Sequence, residues 1–323
     1  MKTEHKLLGL SAALALPVIT ACGLTEYILR VVTDREAPNS YERLSQVLEG
    51  RAGGEDPYAF LEPGREKLKN TPHETVEIRA HDGVKLVGHW FEVKTARRVI
   101  LAAHGWRSAW YRDFGAIADF WRENGCSVLY IEQRGQGNSG GKHIGFGLSE
   151  RLDIPDWLLW IRGRCADRLP VYLAGISMGA TTVLMTADQV LPGNVRGIMA
   201  DCGFTSPDAI FRHVAQENLH LPYHLIKCCA DWLFERKIGQ RPDALSTLDV
   251  LKHSRFPVLF FHGADDSFVP VNMSYENYEA CSSPKRMMIV PGAIHGMSYI
   301  VQQDDYEAME KQFWAELEGA QNG

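Results

Sequence analysis

Along the chain, short unbroken runs of apolar residues alternate with longer stretches whose apolar positions recur every three or four residues. Unbroken runs fit strands covered on both faces, and the longer spacing fits helices laid against them. Runs fall at Arg98–Ala103, Ser127–Ile131, Val171–Ala174, Val195–Ala200, Pro257–Phe261 and Arg286–Val290. Helical spacing falls at Arg112–Asn124 (Phe114, Ile117, Ala118, Trp121), at Leu148–Arg162 (Leu152, Trp157, Leu158, Ile161) and from Met178 to about Asp188. Ahead of these, Thr75–Ile78 and Val84–Val93 flank His81-Asp82-Gly83, a hairpin signal. The pattern predicts an α/β fold: a mostly parallel sheet with an antiparallel N-terminal hairpin and helices on both faces.

One interval breaks the alternation. More than 50 residues separate Asp201 from Pro257, and Pro207–Leu219 and Tyr223–Arg236 within it read as helices rich in aromatic and His residues. We expect a small helical cap there, inserted at about residues 205–250 of a domain covering 74–318. Residues 33–73 are polar and broken by Gly53-Gly54, Pro57 and Pro63, which reads as a helical connector.

The N-terminus is different in kind. Leu7 to Thr25 is 19 residues without a charge, with Lys2 and Lys6 before it and Glu26 after it. As a helix it would span about 28 Å, close to the ~30 Å hydrocarbon core of a bilayer. Apolar character continues through Tyr27, Ile28, Leu29, Val31 and Val32, which favours a retained helix. The expectation is that residues 1–32 form an anchor or signal segment holding the domain at a membrane, with its bulk outside the cytoplasm. The competing readings are a cleaved signal peptide, a lipoprotein signal ending in Ile19-Thr20-Ala21-Cys22 with Cys22 acylated, and a buried core helix.

Composition narrows the field. At 45% hydrophobic and 23% charged residues the chain is ordinary globular protein. Thirty-four basic against 40 acidic residues give a net charge of −6, which removes the main driving force for nucleic-acid binding. Seven Cys without a C-x-x-C pair indicate neither a zinc ribbon nor a disulfide framework. No cofactor or metal is implied.

The chemistry gathers at strand ends. Gly175-Ile176-Ser177-Met178-Gly179 is G-x-S-x-G between the strand Val171–Ala174 and a small-residue helix, the strand–turn–helix setting that lifts a nucleophilic serine above a sheet. Serine at neutral pH needs a base. His295, in Pro291-Gly292-Ala293-Ile294-His295-Gly296 after the last apolar strand, can be projected over the sheet by its glycine-flanked loop. A carboxylate should orient the imidazole, and His262-Gly263-Ala264-Asp265-Asp266 offers two, both after the preceding strand.

In this order, Ser177, then the acid, then His295, the chain resembles the α/β-hydrolase superfamily over about residues 74–318. The resemblance implies that the acid is Asp266, four residues after His262 in H-G-x-x-D-x-x-V-P. It also implies an oxyanion hole of backbone N–H groups, from Trp106 in the His104-Gly105-Trp106 turn and from Met178 after the nucleophile. Gly135-Gln136-Gly137-Asn138-Ser139-Gly140 matches a dinucleotide fingerprint but lacks the immediate helix. With Glu132 and Arg134 it resembles instead the D-x-R-G-x-G-x-S loop of this superfamily, with Glu132 replacing the Asp.

The segments His104–Ser108, Gly145–Gly147 with Glu150–Asp153, and Asp201–Ser206 are similar to a bacterial, membrane-anchored branch described as serine-aminopeptidase-like hydrolases. The expected function is hydrolysis of a carboxylic ester through an acyl-enzyme, on a small-molecule ester or a short peptide, with Trp110, Tyr111 and cap aromatics lining the acyl or aryl pocket. A peptidase or amidase, with Glu217 or Glu235 fixing a peptide terminus, and an acyl-CoA thioesterase are alternatives. A membrane-tethered binding protein without turnover is the reading from another class.

Overall fold

The computed structural model describes residues 22–36 and 58–319. The described residues form one eight-stranded sheet: β1 (Glu74–Arg79), β2 (Lys85–Phe91), β3 (Arg98–Ala103), β4 (Cys126–Glu132), β5 (Val171–Ile176), β6 (Val195–Asp201), β7 (Val258–Gly263) and β8 (Lys285–Val290). Their order across the sheet is β1-β2-β4-β3-β5-β6-β7-β8. β1 with β2 and β2 with β4 run antiparallel, and the remaining pairs are parallel. This is the α/β architecture expected from the alternation of patterns.

The strands that read as unbroken apolar runs are the ones buried on both faces. Every residue of β3, β4 and β7 is buried. Successive side chains divide between two layers, as a period of two requires. Leu101 and Ala103 face Trp157, Leu158 and Ile161 of the helix Ile154–Cys165, whereas Ile100 and Ala102 face Phe114, Trp121, Phe313 and Trp314. The helical spacing at 112–124 resolves into two short helices, Trp110–Phe114 and Ala118–Glu123, and that at 148–162 into a 3-10 turn, Glu150–Leu152, followed by Ile154–Cys165. Pro155 takes the first turn of that helix, where its missing N–H costs nothing.

Between β6 and β7 lie the helices Pro207–His213 and Tyr223–Ile238, with a π turn at Val214–Asn218, and then Thr247–Leu251. Val250 and Leu251 of the last pack into the layer of Leu101 and Trp157, while the first two help build a third apolar cluster, containing Phe146, Met178, Phe204, Ile210 and Phe234.

Helix 22–33 joins this cluster. Leu29 is 5% exposed, Val31 0% and Val32 8%. Of the apolar residues that continued the N-terminal segment, Leu29, Val31 and Val32 therefore face protein, with Ile28 packed beside them, while Tyr27 is exposed. Among the described residues no helix is long and apolar enough to cross a membrane. Residues 1–21, which hold most of the expected anchor, lie outside the described residues. The end of the expected connector also packs on the domain. Helix Glu62–Asn70 meets Trp110–Phe114, with Arg65 Nε donating to the Arg112 carbonyl at 3.2 Å.

Glu310 lies in the Trp121 layer, 1% exposed, and accepts from Trp121 Nε1 at 2.8 Å. Burial pushes its carboxyl up from 4.5 to about 8. Between those values the native state keeps a proton that the unfolded chain has released, so this group makes stability fall as pH rises through the window. In urea denaturation from about pH 5 to about pH 8, wild type is expected to lose more stability than Glu310→Gln. An equal loss in both would mean that Glu310 ionises as freely in the folded protein as in the unfolded chain.

Candidate active site

The site begins with a strained residue. Ser177, between β5 and the helix Met178–Leu184, has φ +55° and ψ −120°, a conformation that costs a side-chain-bearing residue about 1–3 kcal/mol. The flanking glycines let neighbouring backbone come close enough to hold it. A Cβ on Gly179 would lie 1.9 Å from the Ala103 carbonyl oxygen, and one on Gly175 would lie 2.3 Å from the Gly179 carbonyl. The Ser177 N–H donates to the Asp201 carbonyl at 2.8 Å, tying the turn to the end of β6.

Asp266 follows β7. Its Oδ1 accepts from the Phe268 and Val269 N–H groups at 2.9 Å each, which leaves Oδ2 for imidazoles. His295 Nδ1 lies 2.7 Å from Oδ2, and His262 Nε2 lies 3.1 Å away. His295 comes from the loop after β8, which closes on β7 so tightly that a Cβ on Gly263 would lie 2.2 Å from the Ala293 carbonyl oxygen. Tyr58 Oη donates to the His295 carbonyl at 2.8 Å, and the Phe268 ring stands edge-on to the imidazole at 5.1 Å. His295 Nε2 is 2.9 Å from Ser177 Oγ. Three residues remote in sequence thus form one continuous hydrogen-bonded run. Asp265 is exposed, and Asp266 is the neighbour that turns inward.

Electrostatics follow from this packing. Burial by itself would raise the Asp266 carboxyl, but the imidazoles of His295 and His262 outweigh it and hold the group well below the ordinary carboxylate range. Burial would lower His295, and the Asp266 carboxylate overrides it, raising the imidazole well above 6.5. Burial pushes the nearby Cys202 thiol up to about 11, so it stays protonated at neutral pH and does not compete with Ser177 as a nucleophile.

The turn after β3 lies against the serine: a Cβ on Gly105 would be 3.4 Å from Ser177 Cβ. Gly105 N–H donates to Asp113 Oδ2 at 2.6 Å and Arg107 N–H to Gln136 Oε1 at 2.6 Å, fixing the turn on both sides of Trp106. His104 makes backbone contacts with both nitrogens, Nδ1 to the Gly105 carbonyl at 2.7 Å and Nε2 to the Gln133 N–H at 3.2 Å. Burial lowers its pKa, which suits a neutral structural imidazole. Met178 opens the helix after Ser177, where the first N–H groups have no acceptor within the helix.

Two expected pocket residues are placed elsewhere. Trp110 is 4% exposed and stacks on His89 at 4.3 Å within the layer formed by Phe91 and Tyr130. Tyr111 packs edge-on against it, with Lys69 Nζ 5.1 Å from its ring centre. Their helix turns its aromatic face onto the sheet, and the apolar space against the cap is lined by Trp106, Phe146, Phe211 and Phe268 instead. The loop 135–140 folds around the Glu132 carboxylate, which accepts from His89 Nε2 at 2.9 Å and from Asn138 Nδ2 at 3.1 Å. A Cβ on Gly137, at φ +53°, would lie 2.3 Å from Glu132 Oε2. The glycines there serve the loop's own packing.

His262, Asp113 and Cys202 were not singled out from the sequence as neighbours of the reacting groups. His262 carried a signal, since it stands four residues before Asp266. The other two meet the site only through tertiary packing.

Residues 94–234 match the family model described as serine aminopeptidase, S33. The match includes the Trp106 turn and Ser177 and ends before Asp266 and His295. The Bacillus subtilis (strain 168) protein YqkD, described as uncharacterized, is 29% identical over 189 residues, which are 58% of this chain and 62% of that protein, less than two thirds of its length. The Pyrococcus furiosus esterase Pf2001 superposes with a TM-score of 0.64 at 23% identity, covering 78% of this chain and 93% of that one. The Pyrococcus horikoshii acylaminoacyl peptidase gives 0.55 at 17% identity, covering 79% and 43%. The chain has the α/β-hydrolase fold of these structures.

Removing the charge of Asp266 in Asp266→Asn is expected to move the His295 titration, followed by imidazole NMR, to lower pH than in wild type. An unmoved midpoint would contradict the assignment of the raised imidazole to that carboxylate.

Proposed function

We propose that the protein is a serine hydrolase that cleaves a carboxylic ester through an acyl-enzyme on Ser177. The observation that carries this reading is the unbroken run from Ser177 Oγ through His295 to Asp266, at 2.9 and 2.7 Å.

As Oγ bonds to the substrate carbonyl carbon, His295 Nε2 takes its proton, and the carbonyl π pair moves onto the oxygen. The backbone N–H groups of Trp106 and Met178 face that oxyanion in this reading, each worth about 10²–10³ in rate. The oxyanion collapses, the bond to the alcohol oxygen breaks, and that oxygen takes the proton from His295. Water then repeats the sequence, with its proton going to His295 and then to Ser177, and releases the acid. Asp266 keeps the imidazole oriented and stabilises it when charged. The charge-free run from Leu7 to Thr25 supports attachment of the domain to a membrane.

A peptidase is the second reading. It is favoured by the family description and by a polar cleft beside Ser267, lined by Arg212, His213 and Glu217, which a charged peptide terminus would fit. Glu235 is exposed on the cap helix.

Hydrolysis of p-nitrophenyl acetate or butyrate against aminoacyl-nitroanilides separates the two, and exclusive activity on the anilides would overturn the ester reading. Ser177→Ala is expected to abolish fluorophosphonate labelling and to lower kcat at least about 10⁴-fold. The base must be neutral to accept the serine proton, so kcat/KM is expected to fall as pH drops through the raised His295 pKa, with the midpoint of the acid limb above 6.5.

A further inference from the structure

An apolar pocket with a cavity volume of about 80 Å³ lies between helix 22–33 and the cap. Ile28, Leu29 and Val32 form one wall, and Phe211, Val214 and Leu219 face them. Polar groups at its edge are engaged outside it: Tyr223 Oη donates to Asp208 at 2.9 Å, and Trp106 Nε1 donates to the Val32 carbonyl at 2.8 Å. A peptide or sugar placed there would leave its own donors and acceptors unpaired, at a cost that an alkyl chain does not meet.

Two of the residues lining the space adjoin the reacting groups. It is lined by Trp106, whose backbone belongs to the turn against Ser177, and by Phe268, whose ring meets His295. Its N-terminal wall is held in register with that turn. The Arg107 guanidinium donates to the carbonyls of Val31, at 2.6 Å, and Asp34, while Lys237 of the cap pairs with the Asp34 carboxylate.

We propose that this space holds the acyl chain of the substrate, so that the substrate class is a fatty acyl ester and helix 22–33 is one wall of the acyl site. The proposal rests on the ester reading and adds chain-length selectivity to it. Each methylene buried against these walls contributes about fourfold to kcat/KM, until the space is filled.

The test uses the full chain with p-nitrophenyl esters from acetate to dodecanoate below their aggregation limits. In wild type, kcat/KM is expected to rise with chain length through octanoate. Ile28→Trp and Val214→Trp, which narrow the space from opposite walls, are expected to lower the octanoate-to-acetate ratio of kcat/KM at least tenfold. Fluorophosphonate labelling identifies the folded variants. A flat wild-type profile would overturn the proposal, as it would if another part of this chain occupied the space. So would an unchanged ratio in a labelled variant. A wild type that cleaves no ester at all would sink the ester reading itself, whereas equal cleavage of acetate and octanoate would sink only the acyl site.

Discussion

The left-handed backbone at Ser177 is the constraint around which the rest is arranged. A serine does not adopt φ +55° unless its surroundings compel it, and three strand ends supply the compulsion. Gly179 leans on the last carbonyl of β3, the Ser177 N–H is bound by the last carbonyl of β6, and β5 delivers the residue between them. The same contacts put the Trp106 turn beside Ser177. The serine, the turn and the opening of the helix at Met178 are therefore one construction.

The partner groups show a second economy, in the use of one carboxylate. Asp266 accepts two backbone N–H groups on one oxygen and two imidazoles on the other. A buried carboxylate is tolerable only with such complete pairing. His262, itself fully buried, contacts the Ser274 hydroxyl and the Val269 carbonyl as well, so the Asp266 loop is braced from the strand beneath it. The raised imidazole of His295 follows from this arrangement and from no feature of its own loop.

Helix 22–33 changes what counts as the domain. Its carbonyl end is gripped by Arg107, beside the turn at Ser177, and its side chains complete the cluster that includes Met178. Residues that look in sequence like the tail of a membrane segment are here a structural part of the region above the sheet. The two roles share a pattern for a physical reason: an apolar helix face is drawn out of water equally by lipid and by an apolar protein groove.

The alternation of buried runs and amphipathic stretches was enough to determine the α/β sheet and its antiparallel edge. Local spacing marked Ser177, His295 and the pair Asp265 and Asp266, because strand ends carry their own glycine and polar signals, and the superfamily resemblance pointed to Asp266. Tertiary structure alone decided the rest. Trp110 and Tyr111 share the aromatic character of Trp106 and Phe268, but only the direction of their short helix sends them into the core. Asp113, Cys202 and Arg107 act through space, on partners up to 76 residues away. Whether residues 28–32 meet lipid or protein depends on a groove formed by segments more than 70 positions further along. A one-dimensional pattern records how strongly a residue avoids water, and the packed chain determines what it meets instead.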